Sequence, residues 1–528
     1  MKSLILIISI VVNSCTFFNK GSQMQYSDSD IYRDSETLTV NLSETPQIPW
    51  NYVNATTNVV ETFSSSVFGN LIDHDGGEGD DFTLVKNYSC KDNVCKVNIK
   101  NNIKFHNGRE VTAHDVEFSL TRLLLQNKED NFAYTTLNDI EGIDNIKKPK
   151  MIQINNLYYP KGILDGIKVI DNFNFEIYLK HKNRYILQKI STGYLPIVPI
   201  EELKDNYIDW KLHPVGFGRY KLVKADLVNH QFILEKTNNE DIPKYIRIIF
   251  TDKDEGDLRI LSHMTESKFD GNIIFSNVYV NGGFLFNFST KLGSDPNFRK
   301  AISLALDREK IANLSKLNDL IAEDQMLPKY SWLERFRDRS EITKQNVQLA
   351  KEYLNKVPKN LWENKTLDVH TFWTLKSNIE DIDYIKEIKN QLAEIGLKIK
   401  FHNTDFNYSK FNKIDNNVLW WTGFDTQTDD PNANFSYFKK GSFFDNIYPV
   451  DDKKYLHMLE DSVKNFTSNP NYTRELSKYF KDNNYMVVVL NVKKRFSYKK
   501  DRVKFLESQY NGVRLEMWKI KLINYKLF

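Results

Sequence analysis

The sequence predicts a mixed α/β protein built from more than one lobe, and three observations carry that reading. The first is length: 528 residues exceed what one hydrophobic core organises, because single cores stop growing at about 250–300 residues. The second is alternation, since strand-like and helix-like stretches follow one another along the whole chain without an internal repeat or a long low-complexity run. The third is a complete strand–helix–strand unit over 367–401.

Composition narrows the function classes. Lys and Arg number 72 against 69 Asp and Glu, a net charge of +3. Nucleic-acid-binding domains usually carry a clustered basic excess, so no such partner is expected. Aromatic residues make up 13% of the chain, enough to bury a sizeable core and to argue against global disorder. Three cysteines exclude a disulfide-dense miniature scaffold.

At the N-terminus, Met1-Lys2 is a short basic start and Leu4 to Val12 is an apolar run interrupted by Ser9. The run falls short of the roughly 20 residues a spanning helix needs and fits a signal-peptide core. It ends in Val12-Asn13-Ser14-Cys15, which resembles the bacterial lipoprotein box. The resemblance implies cleavage before Cys15 and its lipidation, leaving 1–14 as signal peptide and 15–34 as a lipid-anchored tether. An ordinary signal peptide followed by a chance cysteine is the alternative. No later stretch is long enough to cross a membrane.

Cys90 and Cys95 flank Lys91-Asp92-Asn93-Val94, which reads as a tight turn between two strands. Opposed cysteines on a hairpin can meet the geometry of a disulfide, and an exported protein meets an oxidising compartment. A Cys-x4-Cys zinc half-site competes, but no second Cys pair or His-x3-5-His completes it. Asp73-His74-Asp75-Gly76-Gly77-Glu78-Gly79-Asp80-Asp81 tempts a calcium reading, yet Gly77 and Leu84 stand where ligands are needed. A solvated loop is preferred, and no metal site or cofactor is expected.

Two helices stand out. The first runs from Pro296 to about Leu314, opened by Asp295 as cap with Pro296 in the first turn. Phe298, Ile302 and Leu306 share one face. The second runs from Ile379 to Ile395, with apolar residues at spacings of three and four, and Gly396 stops it. Strands Leu367–Phe372 and Leu397–Phe401 flank it.

The segment Asn102-Ile103-Lys104-Phe105-His106-Asn107-Gly108-Arg109-Glu110-Val111-Thr112-Ala113-His114-Asp115-Val116 reads as a strand, an Asn-Gly turn and a helix capped by Thr112 with Asp115 in its first turn. It resembles the signature of the peptide-type solute-binding proteins of ABC transporters, family 5. His106 and His114 then read as turn and surface residues rather than metal ligands. Further matches follow in the family's order: Gly216-Phe217-Gly218-Arg219-Tyr220, Phe284-Leu285-Phe286-Asn287, Phe298 to Arg308, Ala350 to Leu354, and Gln391 to Leu397. Together they cover nearly everything from residue 37 onward.

The resemblance implies a two-lobed periplasmic-binding-protein-like fold, class II of the peptide-binding type, with an extra subdomain on lobe one. The expected division is 35–60, 170–280 and 490–528 in lobe I, 61–169 in the extra subdomain, and 281–489 in lobe II. Chain crossings are expected near Asn277–Gly283 and Val487–Lys493. The implied function is capture of di- to oligopeptides and delivery to an ABC permease and ATPase. The protein would be a monomer on the periplasmic or cell-surface side, held to the membrane only through Cys15. Relatives on this fold carry nickel chelates, haem or sugars, so the ligand class stays open, as does a surface lipoprotein without a transporter. An enzyme is not expected, because no nucleophile–base pair can be assembled from nearby motif residues.

For the ligand site, Trp420-Trp421-Thr422-Gly423-Phe424-Asp425-Thr426-Gln427-Thr428-Asp429-Asp430-Pro431 resembles the family segment whose aspartate grips the α-amino group of a bound peptide. A desolvated ammonium needs a carboxylate nearby, because an unpaired buried charge is costly. Trp420 replaces the usual Gly and the stretch before Pro431 is longer than the family's. Asp425 is therefore the first candidate anchor, Asp430 the second and Asp429 the third. Trp421 is expected as a flat cleft wall, with Trp420, Thr422 and Gly423 beside it. Thr56 and Thr57, before a helix containing Ser64 to Leu71, resemble the family loop facing the ligand backbone. Trp373, after the strand, is a further candidate.

Overall fold

The computed structural model describes residues 34–523 except 44–45, 51–56, 73–82, 127–131, 184, 254, 262–271, 316–317, 330–331, 372–377, 404–417, 425–430, 441–448, 467 and 505–513. Cys15 and the tether, the acidic loop 73–81, Thr56, Trp373, Asp425, Asp429 and Asp430 all lie outside the described residues.

A mixed sheet of eleven strands organises the chain. From one edge it runs Lys398–Asn403, Thr366–Thr371, Leu419–Thr422, Asn272–Phe286, Met486–Tyr498, Leu258–Leu261, Thr37–Ser43, Tyr245–Phe250, Gln231–Lys236 and Tyr220–Asp226, with Leu320–Ala322 paired beside Met486–Tyr498. Two strands are far longer than the rest, at 15 and 13 residues, and they pair antiparallel with each other. One end of this ribbon joins Leu419–Thr422 through Gly283–Phe286. The other end joins Leu258–Leu261 through Arg495–Tyr498. Between them, Tyr279–Gly282 lies opposite Leu490–Lys493, with the three-residue strand Leu320–Ala322 paired alongside. The ribbon is thus the bridge between the two halves of the sheet, and both Asn277–Gly283 and Val487–Lys493 lie in it.

Each half has its own core. Phe284, Phe286, Ile302, Val369, Ile388 and Trp421 gather on one face of the 284–490 region. Leu285, Trp420, Phe435, Tyr455 and Phe480 gather on the other. The alternation follows from the two-residue period of a strand buried on both faces. In the first half, Leu38, Val40, Phe63, Ile246, Phe496 and Trp518 share a core. A separate four-stranded sheet (Val85–Lys91, Val94–Ile99, Asn174–Tyr178, Ile167–Asp171) carries a further core that includes Val116, Phe175, Ile186 and Phe217. Cys90 and Cys95 face each other in register on its hairpin and form the expected disulfide.

Local signals map closely onto this architecture, with three corrections. Strands Thr366–Thr371 and Lys398–Asn403 pair in parallel around the helix Asp383–Glu394, and Gly396 ends that helix at φ +90°. The expected helical start at Ile379 is a separate single turn, Ile379–Asp381, because Ile382 is extended. Asp295 caps the helix Pro296–Ala305 by accepting from Asn297 N at 2.8 Å. That helix does not continue to Leu314: Leu306 is extended, and Asp307 caps a new helix, Arg308–Ala312, by accepting from Lys310 N. The break lets Arg308 turn inward, where its guanidinium donates to Val488 O at 2.9 Å and Ser303 O at 3.0 Å. The helix expected to contain Ser64–Leu71 spans Thr57–Val67 and gives way to Gly69 in left-handed backbone.

Among the described residues, no helix is long and apolar enough to cross a membrane. No cluster of three or more His, Cys, Asp or Glu suited to a metal ion occurs among them.

Candidate functional site

Two corners of the molecule hold the motifs that single out this chain, and they are built differently. In the first, the turn at Phe105–Arg109 docks on Gly216–Tyr220. His106 N donates to Gly216 O, and His106 Nε2 lies 2.9 Å from Gly218 O. Phe105 and Phe217 meet edge to face at 6.3 Å. A Cβ on Gly216 or Gly218 would collide with the carbonyl oxygens of Val67 and Ser66, so glycine is what lets this turn touch the end of helix Thr57–Val67.

Charge in this corner is internally matched. Arg109 forks onto Asp115 at 2.7 and 3.0 Å and onto Glu201 at 2.6 and 3.0 Å. Asp115 also accepts from Thr112 N at 2.9 Å and from the Tyr159 hydroxyl at 2.8 Å. Burial pushes the Glu201 carboxyl up, but the hydrogen bonds from Arg109 outweigh it and hold the group below its ordinary range. His106 is more deeply set than a surface residue: burial lowers its imidazole to about 4, against the opposing bond to Gly218 O. His114 is half-buried, 3.0 Å from Lys161 Nζ.

The second corner sits on the crossing ribbon. Strand Leu419–Thr422 pairs with Phe286–Gly283, and the chain beyond it is pinned. Phe424 N donates to Asn281 Oδ1 at 2.9 Å, Asn281 N donates to Phe424 O at 3.2 Å, and Asn281 Nδ2 donates to Met326 O at 2.9 Å. A Cβ on Gly423 would collide with Asn281 O; only a glycine permits this approach. Phe424 stacks on Tyr437 at 5.6 Å. The acidic run 425–430 follows immediately, and Pro431 beyond it is buried.

Both tryptophans are buried. Trp421 packs against Phe284 at 5.1 Å, Phe401 at 6.1 Å and Tyr384 at 6.4 Å. Trp420 lies on the opposite face, 5.4 Å from the His370 ring. A flat cleft wall was expected of Trp421; the strand's two-residue period and the two flanking cores enclose the rings instead. Thr422 is nearly buried, and Thr57 is the first residue of its helix.

Sequence reasoning missed the residues that brace this corner. Asn281 is 3% exposed in the middle of a crossing strand, and its signal was a polar residue followed by Gly282-Gly283 where a central strand should be apolar. Glu323, beside the ribbon, accepts from Arg337 at 2.8 Å and from Asn491 at 3.3 Å. Asp324 pairs with Lys481 at 2.8 Å, and Asp319 with Arg495 at 3.3 Å. Burial lowers the Arg308 guanidinium to about 10, with Asp324 and Glu323 opposing that fall.

The profile described as bacterial extracellular solute-binding proteins, family 5 Middle, matches residues 86–446. The oligopeptide-binding protein OppA of Bacillus subtilis is 22% identical over 447 residues, covering 77% of this chain and 77% of that protein. Among solved structures, Haemophilus influenzae OppA in complex with RPPGFSPFR superposes with a TM-score of 0.71 at 15% identity, covering 93% of this chain and 99% of that one. NikZ from Campylobacter jejuni in complex with Ni(L-His) superposes with a TM-score of 0.68 at 15% identity, covering 90% and 96%. The fold is therefore the two-lobed one of these proteins.

Proposed function

This chain belongs to the bacterial extracellular solute-binding proteins, family 5, the non-enzymatic binding components of ABC importers, and from that premise we propose that it captures peptides and presents them to its importer. The observation that carries the reading is the pin between Phe424 and Asn281, which fixes the residue just before the acidic segment 425–430 to the ribbon joining the lobes. Likeness to an oligopeptide-binding protein over 77% of the chain supports the peptide class.

In this reading Asp425 pairs with the ligand's α-ammonium, with Asp430 and then Asp429 as the next candidates. Thr56, Thr57 and Trp373 face the ligand from the other approaches, while Trp420, Trp421, Thr422 and Gly423 hold the launching strand in place. An extended peptide pairs with strand edges through its backbone, which gives affinity without reading side chains. Bridging water accommodates varied side chains, because it is nearly as favourable as a direct bond. Closure proceeds only as far as the ligand prefers the closed state. The lobes follow the division 35–60, 170–280 and 490–528 against 281–489, with 61–169 as the added subdomain. Cys15 carries the lipid that keeps a monomeric protein at the outer face of its membrane, and Cys15→Ser should move it from the membrane to the soluble fraction.

Native mass spectrometry of the purified protein, before and after mild denaturation, tests the ligand class. A ladder of released masses matching short peptides is expected. A single mass matching a nickel chelate, haem or sugar replaces the ligand and keeps the transport role. An empty protein that gains no thermal stability from a peptide pool points to a surface lipoprotein without transport. Asp425→Ala should weaken peptide binding with the fold intact; unchanged affinity in a calorimetric titration removes Asp425 from the site.

A further inference from the structure

Tyr185 and Ile186 are adjacent in the chain yet belong to different cores. Ile186, Leu187 and Ile190 are buried in the first-lobe core that contains Val116 and Phe175, whereas Tyr185 packs against the second-lobe core that contains Phe336 and Phe466. Its ring stacks on Phe466 with centroids 5.7 Å apart and planes at 27°. Arg335 Nη2 reaches the Tyr185 hydroxyl at 3.5 Å. Phe466 is backed in turn by Phe336 at 6.1 Å, and the Arg335 guanidinium lies 4.9 Å over the Phe336 ring.

The tyrosine is rigidly mounted on its own side. Its backbone N–H donates to Asn183 Oδ1 at 2.9 Å, Asn183 Nδ2 donates to Asp139 Oδ2 at 3.0 Å, and Lys189 Nζ donates to the same oxygen at 2.8 Å. Asn183, Asp139 and Lys189 are all buried. Other groups meet along the same seam. Burial lowers the ammonium of Lys439, on the second lobe, and Lys189 of the first lobe adds to that fall. His181 of the first lobe is acted on by Lys464 and Glu460 of the second.

We propose that Tyr185 is a closure latch, an aromatic side chain fixed on the first lobe whose docking on Phe466 and Arg335 of the second lobe sets the open–closed balance and, through it, ligand affinity. The inference rests on the two-lobe capture reading above. Tyr185 is a positioning residue here: it favours the closed arrangement, and a ligand that binds the closed arrangement gains by that bias. Stacked aromatic pairs with a hydroxyl donor partner are well suited to such a contact, being large in area and low in conformational freedom.

The test compares the full-length protein with Tyr185→Ala and Tyr185→Phe, using a pancreatic casein digest as a mixed peptide pool. The pool concentration giving half-maximal thermal shift should rise about tenfold in Tyr185→Ala, which corresponds to about 1.4 kcal/mol, and should stay near wild type in Tyr185→Phe. The melting temperatures of all three ligand-free proteins should agree closely. An unmoved midpoint in Tyr185→Ala overturns the latch. So does a drop in its ligand-free melting temperature large enough to account for the whole shift, since that marks an ordinary core residue. If wild type ignores the pool, the peptide reading fails separately, and solution scattering decides the latch: a larger radius of gyration in ligand-free Tyr185→Ala supports it, and an equal radius overturns it.

Discussion

The corner at Phe105–Asp115 with Gly216–Tyr220 and the corner at Asn281 with Trp420–Phe424 use the same device, a glycine that lets two backbones touch, for different ends. In the first, the Arg109 fork is taken up by Asp115 and Glu201 and the Asp115 carboxylate by Arg109, Thr112 and Tyr159. These charges are matched among themselves, so the motif that reads most clearly in the sequence serves the fold. In the second, the bonds to Asn281 hold Phe424, the residue that precedes the acidic run in the sequence. The lesson is that a segment that must satisfy many fixed partners leaves a legible pattern, whereas the same backbone contact made by a single stem residue leaves a looser one.

Several substitutions can break or sharpen that contrast. The largest effect is expected from Arg109→Met, which strands the fully buried Asp115 carboxylate and should lower unfolding free energy by about 3–5 kcal/mol. Denaturant melts should show the loss while calorimetry on the folded fraction shows unchanged ligand affinity; a parallel loss of affinity would dissolve the contrast. Next, Gly216→Ala and Gly423→Ala both force a backbone shift and should each cost about 1–3 kcal/mol. Only Gly423→Ala should also weaken ligand binding, by more than its effect on stability predicts.

A pH experiment comes third. The folded His106 imidazole, at about 4, lies below its unfolded value of about 6.5. The neutral ring's contribution is therefore intact above about pH 6.5 and is lost as pH falls towards 4. Wild type should lose about 1–3 kcal/mol over that window through this group, and His106→Asn should flatten that part of the stability profile. An unchanged slope would place the acid sensitivity elsewhere. The smallest effect is expected from Asn281→Ala, which deletes the bonds to Phe424 N and Met326 O for about 1–2 kcal/mol. Its affinity loss should exceed that of His106→Asn measured at neutral pH.

How far the sequence could be read depended on the range of the forces involved. The cap at Asp295, the stop at Gly396 and the Cys90–Cys95 hairpin were legible because their partners lie within a few residues. The break at Leu306–Asp307 was not, because Arg308 turns inward to a carbonyl 180 positions away. The tryptophans show the same limit. A Trp-Trp pair on a strand must point to opposite faces, but whether either face is a cleft or a core depends on what packs there. Phe284, Phe401 and Tyr384 cover one indole, and the second-lobe core that contains Phe435 and Tyr455 covers the other. The candidate aspartates fall outside the described residues, so their ranking still rests on sequence resemblance.

By itself the sequence determined the family, the mixed α/β class, the disulfide and most helix and strand positions, since those follow from periodicity, capping and turn chemistry over short spans. Tertiary structure alone decided that Asn281 pins Phe424 across 143 positions, that the Arg109 and Asp115 charges of the clearest motif pair with each other, and that Tyr185 stacks on Phe466 while its neighbour Ile186 lies in a different core. Those outcomes depend on strand register and on which surfaces are desolvated together, and both are set by the whole chain rather than by any window of it.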